Sequence, residues 1–220
     1  MVGSFLGTWF VKITGAFVWL FGCRPKIYHE DPSIKSTKIK GKAILAPNHL
    51  VIYDMATIMF TFWRRTPRVG AAELMFEKNG FMTFFLRLIG AIRVNRKPND
   101  FSFLKKFQAI LDKGGVVEVF PEARLPKEGE ETPLPFTTSA VYLAMTSGAP
   151  IIPIYHNGKF VAKERARVMV GKPIYVQDLC DENLTKKENI RKITNDLREK
   201  IIELQNELNK RIEQEKGKKA

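Results

Sequence analysis

Lys42-Ala43-Ile44-Leu45-Ala46-Pro47-Asn48-His49-Leu50-Val51-Ile52-Tyr53-Asp54 sets a short apolar run directly before an imidazole and a carboxylate five residues apart. Residues 42 to 46 read as a strand, and the stretch from about Ile52 to Arg64 reads as the apolar helix that follows it. Five residues on an α-helix is about 500° of rotation, so His49 and Asp54 share no face if both lie mid-helix. With His49 on the loop leaving the strand and Asp54 in the first turns of the helix, the carboxylate reaches back to Nδ1. It then fixes the tautomer and leaves Nε2 as a base. A loop histidine near an unrelated aspartate explains the same spacing and is the more economical reading of these two residues taken alone.

Outward from that stretch, strand and helix alternate. Strands are predicted over Arg24 to Glu30, Ala43 to Ala46, near Val69, Ala91 to Asn95, Val116 to Phe120, Ile151 to Tyr155 and Arg167 to Val170. Helices are predicted over Phe81 to Leu88, Phe101 to Asp112 and Thr138 to Thr146, and along the C-terminus. Such alternation predicts an α/β fold: a single domain with a mostly parallel mixed sheet covered by helices. With 220 residues and 45% hydrophobic content, the chain suits one domain with a large core. Ligands in such sheets bind beyond the carboxyl ends of the strands, and His49, Arg96 and Glu122 each follow a predicted strand.

Ile190, Ile193, Leu197, Ile201, Leu204, Leu208 and Ile212 recur at three and four spacing among charged residues. They predict a long C-terminal amphipathic helix packed on the domain, with a coiled-coil or membrane contact as the alternative. The expected organisation is an N-terminal membrane-interacting segment over 1–23, a central domain over 24–180, and the C-terminal helix with its basic tail over 181–220.

Thirty-six Lys and Arg against 23 Asp and Glu leave a net charge of +13, which favours an anionic partner. Nucleic acid is not expected: the chain carries no aromatic ribonucleoprotein strand, no Gly-x-x-Gly clamp and no helix-turn-helix pattern. Anionic membrane lipids are expected instead, because residues 5 to 22 are nearly all apolar and carry Trp9 and Trp19. Lys12 in the middle of that run costs about 2.5–3.5 kcal/mol at a bilayer centre. Ser4, Thr8 and Lys12 form a polar stripe at i, i+4 spacing, which favours a helix lying in the interface over one that spans. The expected location is the cytoplasmic face of the cell membrane, monotopic or held by a single N-terminal anchor. Cys23 and Cys180 make no disulfide framework and read as cytosolic thiols. No Ser or Cys is matched to His49 as a triad nucleophile, and no His-Glu-x-x-His or Cys-x-x-Cys pattern calls for a metal.

Four stretches in order carry more than any one alone: Asn48-His49 followed by Asp54; Gly90 to Arg96; Phe120-Pro121-Glu122-Ala123-Arg124; and Ala149 to Ile154. Together, over about residues 42 to 156, they resemble the motif series of the glycerolipid acyltransferases, nearest to the bacterial membrane 1-acylglycerol-3-phosphate O-acyltransferases. The resemblance implies transfer of a fatty acyl group from a thioester, acyl-CoA or an acyl-carrier-protein thioester, to the hydroxyl of a lysophospholipid. It requires no cofactor beyond that co-substrate. His49 is implied as general base and Asp54 as its orienting partner. Asn48, Arg96, Glu122 and Arg124 are implied in substrate binding, the arginines as phosphate ligands. Phe81 to Ile89 is the candidate for lining an acyl groove or dipping into lipid.

The chain departs from the family pattern at three places. Val51 stands where a Ser is usual, Ala123 where a Gly is usual, and Phe136-Thr137-Thr138-Ser139 lacks the usual Lys and Gly. If position 123 needs φ > 0, alanine there is strained by about 1–2 kcal/mol. These departures leave the acceptor open and keep a second expectation in view: a catalytically weak or inactive membrane lipid-binding protein of the same fold.

Overall fold

The computed structural model describes residues 2–18, 25–77, 80–95, 101–159 and 165–217. Seven strands appear where the apolar runs predicted them: β1 (Lys26–His29), β2 (Ala43–Pro47), β3 (Arg68–Ala72), β4 (Ile92–Val94), β5 (Val116–Glu118), β6 (Ile151–His156) and β7 (Arg167–Val170). They form one sheet in the order β1-β7-β6-β2-β5-β3-β4. All pairs are parallel except β6 with β7. The expected mixed, mostly parallel α/β sheet is therefore present.

The helices are α1 (Val2–Val18), α2 (Asp54–Thr61), α3 (Gly80–Leu88), α4 (Ser102–Leu111), α5 (Ser139–Ser147) and α6 (Lys186–Gly217). Successive strand residues send side chains to opposite faces, so neighbouring residues of β2 enter different cores. Ile44 packs with Phe107 of α4, Val141 and Leu143 of α5, and Ile193 and Leu197 of α6. Leu45 packs with Ile58 and Phe62 on the α2 side. Both faces are buried, which is why the strands read as continuous apolar runs.

The long C-terminal helix lays its apolar stripe on the domain. Ile201, Leu204 and Leu208 are buried against Tyr155 and Met169 of β6 and β7. Its start is set by a capping box: Thr185 N–H donates to Glu188 Oε2 at 2.8 Å, and Glu188 N–H donates to Thr185 Oγ1 at 3.3 Å.

The N-terminal helix departs from the amphipathic arrangement its sequence suggests. Its polar residues Thr8 and Lys12 are turned into the domain and fully buried, while Phe5, Leu6, Phe10 and Ile13 face outward. Gly7 permits this docking, because a Cβ there would stand 2.1 Å from the Leu88 carbonyl of α3. Arg68 Nη1 donates to Thr8 Oγ1 at 2.7 Å and to the Ile89 carbonyl at 2.6 Å. Lys12 Nζ donates to the carbonyls of Phe62, at 3.1 Å, of Trp63, at 2.9 Å, and of Arg65, all just past the end of α2. An ammonium at a helix C-terminus meets both the free carbonyls and the negative end of the dipole. Burial pulls its pKa down to about 7. Among the described residues no helix is long and apolar enough to cross a membrane.

Lys12→Met is expected to undock α1, because it removes the ammonium donor from the Phe62, Trp63 and Arg65 carbonyls, of which Phe62 keeps the Arg65 N–H, at a cost of about 1–3 kcal/mol. Limited proteolysis of the variant should then cut within residues 2–18 faster than in the parent chain. Equal cleavage rates would show that the lysine is not what holds the helix.

Candidate active site

The carboxyl ends of β6, β2 and β5 lie side by side, and each delivers one part of the site. β2 ends at Pro47 and is followed by Asn48 and His49; β5 is followed by Glu122; β6 ends on His156.

His49 stands on the loop and Asp54 is the first residue of α2, the arrangement that a spacing of five demands. His49 Nδ1 lies 3.0 Å from Asp54 Oδ2. The same oxygen accepts the backbone N–H groups of Leu50, at 2.6 Å, and of Val51, at 2.9 Å. An oxygen that already receives two N–H groups acts as acceptor, so Nδ1 carries the proton and Nε2 keeps its lone pair. The helix consequently starts two residues later than the apolar pattern suggests, since the N–H groups ahead of it serve the carboxylate. The imidazole stacks on Phe120 with ring centroids 4.2 Å apart. Its side chain is 21% exposed, while that of Asp54 is 1% exposed. A reactant can therefore reach the histidine but not the aspartate.

Asp54 also has a second imidazole near it, one that carries no motif or spacing of its own. His156 Nδ1 accepts the Gly158 N–H at 3.2 Å, so Nε2 bears its proton. That N–H donates to the Asn48 carbonyl at 3.0 Å and lies 3.6 Å from Asp54 Oδ1. Burial lowers the His156 pKa, keeping the ring neutral.

Two expected substrate contacts have their polar atoms engaged within the chain. The Asn48 side chain is fully buried; its Oδ1 accepts the His156 N–H at 2.8 Å and its Nδ2 donates to the His156 carbonyl at 3.1 Å. Both polar atoms are used in tying β2 to β6, so neither is open to a ligand. Glu122 is 4% exposed; Oε1 accepts the His49 N–H and Oε2 the Leu134 N–H, each at 2.8 Å. It holds the histidine loop to the segment before α5. Burial raises its pKa, and the two N–H groups pull it back down.

Arg124 lies at the rim, where its guanidinium pairs with both oxygens of Glu130 at 2.6 and 2.8 Å. A phosphate there would have to exchange with that carboxylate. Arg96, the other expected phosphate ligand, lies outside the described residues. Ala123 has φ of 58°, the left-handed region where glycine is at ease and alanine is strained by about 1–2 kcal/mol. The turn it closes, with Ala123 N–H on the Phe120 carbonyl at 3.1 Å, sets Phe120 and Glu122 against His49.

Glu118 is a further buried carboxyl at the end of β5, 1% exposed. Burial first, and the nearby Asp54 charge second, push its pKa well above the ordinary 4.5. A carboxyl whose folded pKa exceeds its unfolded one favours folding fully below the unfolded value, and that contribution is lost as pH rises toward the folded value. Glu118→Gln cannot ionise. Its melting temperature should therefore climb relative to the parent chain as pH rises above about 4.5, the two converging below it. A constant difference across that range would mean that Glu118 ionises without penalty.

Among the described residues no cluster of three or more His, Cys, Asp or Glu is arranged to hold a metal ion. The family model described as Acyltransferase matches residues 24–157. That span contains Asn48, His49, Asp54, Glu122 and His156. The chain is 30% identical over 197 residues to a 1-acyl-sn-glycerol-3-phosphate acyltransferase of Haemophilus influenzae, covering 87% of this chain and 80% of the relative. It is 28% identical over 136 residues to the protein of the same name from Bacillus subtilis, covering 60% of this chain and 65% of the length of that relative. Among solved structures, the fold is similar to that of the 1-acyl-sn-glycerophosphate (LPA) acyltransferase PlsC from Thermotoga maritima. The TM-score is 0.62 at 20% identity, over 92% of this chain and 79% of that one.

Proposed function

This chain belongs to the acyltransferase family, and from that premise we propose that it moves a fatty acyl group from a thioester to the hydroxyl of 1-acyl-glycerol-3-phosphate, with His49 as general base. One observation carries the reading: a reachable imidazole whose Nδ1 proton is held by buried Asp54, leaving Nε2 free to accept. Nε2 takes the acceptor's hydroxyl proton as its oxygen attacks the thioester carbonyl. The C–O bond forms, the C–S bond breaks, and the departing sulfur leaves with the proton from the imidazolium. No covalent enzyme intermediate is needed.

An exposed apolar surface supports the choice of a lipid acceptor. Phe5, Leu6, Phe10 and Ile13 of α1 and Phe81 and Phe84 of α3 are 48% to 77% exposed, on two helices packed together. A cluster of that size and composition suits insertion into one leaflet on the cytoplasmic face, with the basic surface against anionic headgroups. Beside them Phe85 and, just past α3, Ile89 pack into the apolar cluster of α1, α2 and β3, a candidate lining for the acyl chain.

Full-length protein in detergent should convert lysophosphatidic acid to phosphatidic acid with labelled acyl-CoA or acyl-carrier-protein thioester. A comparison of lipids in cells with and without the protein would name the acceptor. No turnover with any lysolipid or either donor, alongside retained binding to anionic vesicles, would instead favour a lipid-binding protein. The engagement of Arg124 by Glu130 is the observation that favours that second reading.

A further inference from the structure

Glu118 interrupts an apolar strand, and nothing in the acyl-transfer chemistry above uses it. Its carboxyl faces the α2 side of the sheet and lines a small cavity with Met55 and Met59 of α2, Val69 of β3, Phe85 of α3, and Ile89 just past that helix. Every other side chain named in that wall is apolar. The cavity is about 10 Å³, space for roughly one water-sized group. Oε1 of Glu118 is buried and has no hydrogen-bond partner among the described residues.

A buried polar oxygen without a partner, opening on a space that fits one small group, defines the chemistry of what belongs there. Burial and the adjacent Asp54 charge keep the carboxyl neutral. A neutral carboxylic acid offers one O–H donor and one carbonyl acceptor, which a single hydroxyl can satisfy at once. Amines and anions fit less well: the neutral acid offers an amine no counter-charge, and the Asp54 carboxylate repels an anion. An unsubstituted alkyl chain would leave Oε1 unpaired.

We propose that Glu118 and this cavity form a subsite for one hydroxyl group, carried by the acyl chain of the donor or by a bound water. The chain-borne form rests on the acyl-transfer reading above and makes Glu118 a determinant of donor choice. The site was legible only in part, since a charged residue within Val116-Val117-Glu118-Val119 marks an anomaly without naming its partner.

The test uses the full chain in detergent with pairs of saturated acyl thioesters of equal length, one plain and one hydroxylated near the carbonyl. If a chain hydroxyl fills the subsite, the ratio of kcat/KM for hydroxylated over plain donor falls about tenfold in Glu118→Leu, which can neither donate nor accept. It holds in Glu118→Gln, which does both. If the ratio is the same in all three proteins, while crystals show an ordered water on Glu118 Oε1 that is absent from Glu118→Leu, water is the occupant. An unchanged ratio with no such water overturns the subsite. Absence of turnover from every donor would instead strike the acyl-transfer reading, and the crystallographic comparison would still decide the subsite.

Discussion

Replacing His49 by alanine is expected to lower kcat for acyl transfer by about 10²–10⁴-fold, the range that a positioned general base contributes. The prediction is specific because the ring does little else. The His49 backbone N–H, which binds Glu122, survives the substitution. Leu50 and Val51 still donate to Asp54, so the loop keeps its anchor. What disappears is the stack on Phe120 and the ring nitrogen proposed to take the acceptor's proton. Melting temperature should therefore stay close to that of the parent chain, and added imidazole should restore part of the rate by occupying the vacated space. Turnover undiminished in His49→Ala would remove the imidazole from the reaction and leave another group to take the acceptor's proton.

How far this site could be read from sequence divides by the range of the interactions. The seven strands were legible because both faces of the sheet are buried and their residues form unbroken apolar runs. The His49 and Asp54 geometry was legible because it is local: five residues and one helix start decide it. Residues whose partners are distant in sequence were legible in type but not in role. Asn48 reads as a polar residue at a strand end, yet its partner His156 is 108 residues away. Glu122 reads as an acid beside a pocket, yet it is spent on N–H groups from His49 and Leu134. The same limit governs the N-terminal helix. Its polar stripe is visible at i, i+4, but only the fold puts the carbonyls of Phe62, Trp63 and Arg65 beneath it and turns the stripe inward.

These braces share a purpose that the His49 and Asp54 pair alone does not reveal. Asn48 ties the loop to β6, Glu122 ties it to the segment before α5, and Asp54 ties it to α2. Three separate elements thus fix the direction of one imidazole. A strained Ala123 is tolerated within this network because the turn it completes presses Phe120 against that ring.

Asp54 is where the mechanical and electrostatic roles meet, and two substitutions should separate them. Asp54→Ala removes the acceptor for Leu50 N–H, Val51 N–H and the His49 ring at once. Stability should fall by about 1–3 kcal/mol for leaving part-buried donors unmatched, and kcat should fall by about 10²–10⁴-fold because the ring loses both its tautomer and its direction. Asp54→Asn keeps an oxygen that can accept the loop N–H groups, so melting should stay near that of the parent chain. Yet the amide brings no charge to offset the imidazolium that forms as the acceptor's proton is taken, and kcat should still fall by about 10²-fold or more. In both variants KM for the acceptor should move little, since Asp54 is 1% exposed and meets no substrate. A rise in KM at unchanged kcat would recast Asp54 as part of the binding surface. Full activity in Asp54→Asn would show that holding the loop is all that the carboxylate does.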